Sequence, residues 1–170
     1  MSFSITPAGT ITKEQTLLST KRLPVSASTL ITKGNLCNMD AATGYVKVSP
    51  TTAVAGVEYM VALATVDNSS GISGALTVPL AVRGHFVTVV ADNTILPGDW
   101  VKSSTSTAGR VMRWIPATDN ENLKAGIYWD KEGGSIAVGA TTPYLESFTD
   151  SENFPPVSAA QGDVIEIQLK

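Results

Sequence analysis

The sequence contains very few of the residues that form disulfides, metal sites or catalytic dyads. Its 170 residues include one cysteine, Cys37, and one histidine, His85. A single cysteine excludes an intrachain disulfide framework, and a zinc site needs several Cys or His ligands at close spacing. His85 follows Gly84, but no motif marks a nucleophile beside it, so we expect a structural strand histidine. Cys37 is predicted to be a small buried apolar residue.

Charged residues are also scarce. They make up 16% of the chain, against roughly 25% in an average globular domain. The net charge is −3 and no basic block is present, so nucleic-acid binding is not predicted. The carboxylate pairs Asp119/Glu121 and Asp163/Glu166 are interpreted as turn and solvated-face residues. We therefore predict no enzyme, no cofactor, and no catalytic, cofactor-binding or metal-binding residue.

Long apolar runs and phosphate-binding loops are missing as well. No run approaches the roughly 20 apolar residues that span a bilayer, and the first fifteen residues lack a signal-peptide core, so no membrane partner is predicted. The stretch 71–74 (GISG) lacks the Lys-Ser/Thr of a phosphate loop. The turn Leu96–Val101 resembles that of lipoyl- and biotin-carrier barrels, but the modified lysine is missing.

Strand-like segments dominate what is present. Residues 76–90 are rich in Val, Thr and Phe and predict one long strand bent at Gly84, where glycine permits positive φ. Residues 164–169 alternate strictly, which predicts a buried face of Ile165, Ile167 and Leu169 and a wet opposite face. A capping box at Thr118 with a stop at Gly126 allows at most one short helix.

Two parts of the sequence share one pattern. Residues 95–101 match residues 31–37, sixty-four positions earlier, and the Gly turn and strand of 44–48 recur at 109–114 with one residue inserted. Each copy would be a hairpin that cannot bury its apolar face alone, so the two are expected to pack together. Only one glycine and a few apolar positions carry the match, so a chance similarity stays open.

The N-terminal stretch 1–29 differs from the rest in being polar and rich in Thr and Ser. It has too little apolar surface to fold alone. We interpret it as an extended arm, either a disordered tail or a segment that orders against a neighbouring subunit. Residues 30–170 are predicted to form a single β-rich domain.

Three tryptophans, Trp100, Trp114 and Trp129, fall in the second half of the chain. They are expected in the core or at its rim, although aromatic residues are also enriched at protein interfaces. Trp100 and Trp114 lie on neighbouring strands of a predicted hairpin. We therefore expect them to share a face.

Three segments together resemble the capsid decoration (cement) proteins of tailed phages and related viruses. They are Thr32–Leu36, Val78–Phe86 and Leu96–Val101, within a similarity that covers residues 30–101 and extends to a strand at 126–130. Asn35 stands where that family usually has Asp.

The resemblance implies a mainly β fold, a small β-tulip/β-clip-like barrel or sandwich with the N-terminal arm. It implies a virion structural protein that binds the outer surface of the assembled capsid and stabilises the shell. The implied partners are the major capsid protein and further copies of the chain, as a homotrimer.

Two other classes stay open. A β-rich sugar- or receptor-binding module on a virion surface would expose Trp100, Trp114 or Trp129. An enzyme or carrier domain would place a cleft with a polar partner around His85.

Overall fold

The computed structural model describes residues 7–13, 19–52, 54, 56–131 and 158–170. Strands dominate these residues, and one 3₁₀ turn, Glu121–Leu123, accompanies them. The strands are β1 (Ile11–Lys13), β2 (Lys21–Pro24), β3 (Thr29–Ile31), β4 (Leu36–Met39), β5 (Val46–Val48), β6 (Tyr59–Ala62), β7 (Val66–Asn68), β8 (Thr77–Ala81), β9 (Phe86–Val90), β10 (Trp100–Ser103), β11 (Val111–Arg113), β12 (Lys124–Lys131) and β13 (Val164–Leu169).

Two open sheets carry most of these strands. Sheet A has the order β1-β9-β13-β12-β10-β11, sheet B has the order β2-β8-β6-β4-β5, and β3 pairs with β7 in a separate ribbon. The pairs along both sheets and the ribbon are antiparallel. Neither sheet closes on itself. The mainly β prediction is confirmed, in its sandwich-like form.

The main core lies between sheets A and B. Sheet B contributes Leu36, Tyr59, Val61 and Ala81 from one face. Sheet A contributes a larger buried set: Val87, Val89, Val101, Val111, Ala125, Tyr128, Ile165, Ile167 and Leu169. The other face of sheet B packs in a second cluster that includes Ile31 of the β3-β7 ribbon. Sheet B is therefore buried on both faces, which explains why β6 is apolar at every position.

The segment 76–90 is two strands and not one bent strand, so that prediction is wrong. β8 lies in sheet B and β9 lies in sheet A. Between them the backbone N–H of His85 donates to the carbonyl of Val82 at 3.1 Å, and Gly84 has a φ of 91°. The positive φ predicted for Gly84 is present, but it serves a tight turn that carries the chain from one sheet to the other.

The N-terminal stretch is not an arm where the structure describes it. β2 pairs with β8, Val25 is fully buried, and the N–H of Gly9 donates to the carbonyl of Thr88 at 2.6 Å. The sequence pattern missed this because an edge strand needs few apolar side chains, and here Leu23 and Val25 are the ones that enter a core. The remaining residues of the predicted arm, 1–6 and 14–18, lie outside the described residues.

The last strand follows its predicted alternation on one side. Ile165, Ile167 and Leu169 are buried in the main core, as predicted. The opposite side is not uniformly wet, because Glu166 is only 5% exposed. Glu166 lies opposite Thr88, which is itself buried, in the middle of the six-stranded sheet.

The predicted helix is reduced to a single turn. Asn120, and not Thr118, caps it by accepting a hydrogen bond from the N–H of Asn122. Gly126 is not a stop, because it lies inside β12, where a Cβ would meet the backbone of Gln168 at 2.5 Å. The limit of one short helix holds for the described residues.

The structure confirms the internal repeat. The N–H of Gly34 donates to the carbonyl of Ala62 at 2.8 Å, and the N–H of Gly98 donates to that of Tyr128 at 2.9 Å. The glycines at three matching turns all have positive φ, in the pairs Gly34 and Gly98, Gly44 and Gly109, and Gly74 and Gly162. The strand order β2-β8-β6-β4-β5 of sheet B recurs in sheet A as β9-β13-β12-β10-β11. The repeat therefore spans all of sheet B and every strand of sheet A except β1, and not only two hairpins.

Asn35 stands where the decoration proteins usually have Asp, and this difference leaves the turn unchanged. Its side-chain oxygen accepts a hydrogen bond from the N–H of Thr32 at 2.9 Å. Asp99 does the same for Leu96 at 2.9 Å in the second copy. An amide oxygen and a carboxylate oxygen both serve as acceptors here, so the turn does not require the charge.

Candidate functional site

His85 is part of the turn between the sheets. It is 3% exposed, and its Nδ1 lies 2.8 Å from the carbonyl oxygen of Val82. Its own carbonyl accepts a hydrogen bond from the N–H of Leu169 at 3.0 Å. The ring and backbone therefore hold β8, β9 and β13 together. The role is structural, as predicted, but His85 lies in the turn before β9 and is buried, and it is not an exposed or core-edge strand residue.

Cys37 is fully buried in the second cluster on sheet B. Burial raises the pKa of its thiol to about 12, although a backbone hydrogen bond involving Ala62 acts in the opposite direction. A thiol with such a high pKa stays protonated and unreactive near neutral pH. The prediction of a small buried apolar residue is confirmed.

The carboxylates singled out in the sequence do not come together as a site. Asp119 pairs with Lys102 at 2.5 Å and accepts the N–H of Ile115 at 2.7 Å. Burial would raise the pKa of Asp119, but these hydrogen bonds and the lysine charge outweigh it, and the pKa lies below its usual value. Asp163 accepts the N–H of Ala160 in a turn, as predicted, whereas Glu166 is buried.

A buried polar cluster around Asp92 was missed by the sequence patterns. Its carboxylate has no exposed surface and accepts hydrogen bonds from Ser104, from Thr107 at 3.1 Å and from Gln161 at 3.4 Å, with Arg110 at 3.6 Å. Burial would raise the pKa of Asp92, but the hydrogen bonds and the arginine lower it overall. Asp92-Asn93 has the composition of an ordinary turn, so no sequence signal separates it from one.

The Asp92 cluster orders the loop between β10 and β11. The hydroxyl of Ser104, which donates to Asp92, accepts the N–H groups of Ser106 and Thr107 at 3.0 and 3.1 Å. This is the arrangement of a structural anchor, in which one buried charge fixes a loop.

A surface groove of about 560 Å³ lies where the two copies of the repeat meet. It is lined by turn residues of both copies, and the charged side chains among its lining residues are Lys33 and Arg110. Nearby, the hydroxyls of Ser49 and Ser103 hydrogen-bond at 2.7 Å across the two copies, and both residues are buried. The groove therefore lies along the contact between the two copies of the repeat.

Trp100 and Trp114 share a face, as predicted, and enclose a lysine. The Nζ of Lys124 lies 4.6 Å from the ring centroid of Trp100 and 4.1 Å from that of Trp114. The same Nζ pairs with Glu121 at 2.6 Å. Trp114 is buried and its indole N–H donates to the carbonyl of Asn120. These contacts are a cation–π arrangement that fixes the end of sheet A.

Trp129 is the tryptophan that faces solvent, with 44% of its surface exposed. Its ring lies 6.4 Å from that of Phe86, at an angle of 40°.

One row of side chains crosses sheet A from Phe86 through Gln168 and Ile127 to Trp100, because each of these residues is the register partner of the next. We call this row together with Trp129 the outer face of sheet A. It is the aromatic surface that the described residues offer for contact.

Two kinds of site are not found in the parts of the chain that the structure describes. No group of three or more His, Cys, Asp and Glu side chains is placed to hold a metal ion there. No helix within those ranges has the length and apolarity to cross a membrane.

Comparison with known proteins gives one informative result. No protein-family model matches the chain, and no curated protein matches it. Among solved structures, the chain is similar to the N base of head fiber gp8.5 in bacteriophage phi29. The match covers 89% of this chain and 95% of that one, with a TM-score of 0.51 and 14% sequence identity. At this identity the likeness concerns the fold, and this chain has the fold of a phage head fiber base.

Proposed function

We propose that this chain is a virion structural protein of a bacteriophage. The observation that carries the proposal is the fold, which matches nearly the whole of a head fiber base. The sequence independently resembles phage decoration proteins, through segments that form the turns and strands of both sheets. Two separate observations therefore support a protein of the phage head.

The finer proposal is a capsid decoration (cement) protein. In this role the chain binds the outer surface of the assembled shell through contacts with the major capsid protein, and assembles with itself as a homotrimer. A protein that binds the assembled shell, and not the free subunit, stabilises the shell by mass action. Such a role requires contact surface and no substrate chemistry.

The surface composition supports a contact role. Large apolar side chains are exposed on several loops and strand ends as well as on the outer face of sheet A: Leu30, Met39, Ile72, Leu76, Leu96, Ile115 and Trp129. Ile72 is the most exposed of them at 76%. The chain has a low content of charged residues, 16%, and no basic block, which suits contact with protein rather than with a polyanion.

Sedimentation with capsids tests the proposal. Purified chain is mixed with shells assembled from the major capsid protein of the phage that encodes it, and separately with the unassembled subunit. We expect the chain to sediment with the shells to saturation and to remain unbound with the free subunit. A chain that stays in the supernatant at every shell concentration would contradict the proposal.

A sugar- or receptor-binding module is the second candidate, because Trp129 is exposed beside Phe86. Aromatic rings on an open surface also bind ligands by stacking. In this case Trp129→Ala would abolish binding to a glycan or receptor while leaving both folding and capsid sedimentation unchanged. Loss of capsid sedimentation together with unchanged ligand binding would reject this candidate.

A further inference from the structure

The internal repeat contains a sheet face that is buried in one copy and open in the other. In the first copy, Leu36, Val61 and Ala81 lie side by side across sheet B. All three are fully buried, because this face of sheet B packs on sheet A. The first copy therefore stacks on the second through this face.

The matching residues of the second copy are Trp100, Ile127 and Gln168. Trp100 pairs with Ile127 and Ile127 with Gln168, just as the three residues of the first copy pair across sheet B. These side chains remain partly exposed, and the row continues into Phe86 and the 44% exposed Trp129. The second copy thus presents, with larger side chains, the face that the first copy uses for packing.

We propose that the outer face of sheet A is the surface through which this chain contacts a second copy of itself. This inference rests on the proposed function, in which copies of the chain assemble together on the capsid. The repeat indicates that a second copy of the chain covers this face. Within one chain, the equivalent face of sheet B is already covered by sheet A, which is another copy of the same repeat. Aromatic residues of this kind are enriched at the centre of protein interfaces.

Two lysines border the outer face of sheet A. The ammonium groups of Lys124 and Lys170 lie 4.6 and 5.9 Å from the centroid of Trp100. The charge of Lys124 is balanced within the chain, because its ammonium pairs with Glu121 at 2.6 Å.

Sedimentation equilibrium of the purified full chain tests the surface. We expect the wild-type chain to self-associate and Trp129→Lys to shift it to monomer, with a dissociation constant raised at least tenfold. Ile72→Lys is the matched control, because it changes a more exposed apolar residue in a loop of the first copy, and it should associate like wild type. Thermal unfolding establishes that both variants are folded, and Trp129→Ser provides a second variant without an added charge.

Cross-linking locates the contact directly. Gln168→Cys places a thiol on the outer face, while the buried Cys37 does not react. A bismaleimide with a short flexible spacer should join Gln168→Cys chains into dimers, and should leave a Ser69→Cys control, which lies in a loop of the first copy, uncoupled.

A wild-type chain that stays monomeric at high concentration, both free and when eluted from capsids, would overturn the inference. So would a Trp129→Lys variant that associates like wild type. The capsid sedimentation of the wild-type chain is read separately. Capsid binding by a chain that never self-associates would reject this surface and leave the proposed function standing.

Discussion

At the residue scale, polar groups in this protein serve as anchors of the fold. Asp92, Asp119 and Lys124 are each largely buried and each bind a loop or strand end. Residue type alone predicted the roles of His85 and Cys37, because a lone histidine or cysteine has few alternatives. It could not predict the role of Asp92, because the partners of its carboxylate come from two separate parts of the chain, the loop 104–110 and Gln161.

Asp92→Asn should destabilise the protein by about 3 kcal/mol at neutral pH, because it removes the negative charge of a buried hydrogen-bond network and replaces one of its two acceptor oxygens by a donor. The folded-state pKa of Asp92 lies below the ordinary value of 3.8. Its contribution is therefore present above that pH and lost as the pH falls through the folded pKa. Urea unfolding of both proteins between pH 7 and pH 3 measures this.

The matched control for Asp92 is Asp67→Asn, which changes an exposed carboxylate that accepts hydrogen bonds from Ser69. It should have a much smaller effect at every pH. Equal losses for the two variants at pH 7 would contradict the anchoring role of Asp92.

Lys124→Met should cost about 1–2 kcal/mol, because it keeps the aliphatic packing between Trp100 and Trp114 but removes the ammonium that both rings face. Unfolding followed by tryptophan fluorescence measures the loss, and the emission of the native state should change as well. Lys47→Met is the control, since Lys47 pairs with Asp40 at a more exposed position. A larger loss for the control would reject the cation–π account.

At the scale of elements, turns and paired edges decide the architecture. The turn chemistry of both repeats could be predicted from sequence, since Gly and Asn or Asp at fixed spacing specify positive φ and a side-chain acceptor. The division of residues 76–90 into two strands could not be predicted, because a continuous apolar run is compatible with one strand or with two strands joined at Gly84. β2 could not be predicted either, because backbone pairing with β8 holds it and its apolar pattern is weak.

The repeat supplies a matched pair of glycine substitutions. Gly34→Ala and Gly98→Ala both force alanine into a left-handed conformation, with φ of 87° and 83°, at a cost of about 1–2 kcal/mol. At Gly98 a Cβ meets no atom within 4 Å, whereas at Gly34 it would collide with Ala8, whose carbonyl carbon is 2.8 Å away. Gly34→Ala should therefore lose at least about 1 kcal/mol more.

Denaturant unfolding of the two glycine variants gives the comparison. Gly34→Ala should also loosen residues 7–10, which hydrogen exchange at Gly9 would detect as faster exchange than in Gly98→Ala. Equal stability of the two variants would show that the N-terminal residues do not pack on the first turn as described.

At the scale of the whole molecule, the two copies of the repeat form one body. Residues 7–13 and 19–29 belong to this body, because they supply β1 to sheet A and β2 to sheet B. Removing residues 1–6 spares every described strand, so this variant should unfold like wild type. We expect it to lose capsid attachment, because residues 1–6 are the part of the predicted arm that precedes the first described residue. Removing residues 1–29 deletes β1, β2 and the fully buried Val25, and should prevent stable folding. Calorimetry and capsid sedimentation measure both outcomes.

Capsid binding by the 1–6 deletion at wild-type level would show that attachment uses other surfaces. A stable 1–29 deletion would contradict the role assigned to β2.

The sequence indicates the proposed functional class only through a resemblance in three short segments. It does not indicate the proposed contact surface, because that surface depends on which side of a sheet each residue faces.

Cryo-electron microscopy of capsids with and without added chain tests the central claim most directly. The account predicts a difference density on the outer surface of the shell, repeated at equivalent positions and large enough to hold the two packed sheets. A difference map without such density at saturating chain, or with density confined to the interior of the shell, would contradict it.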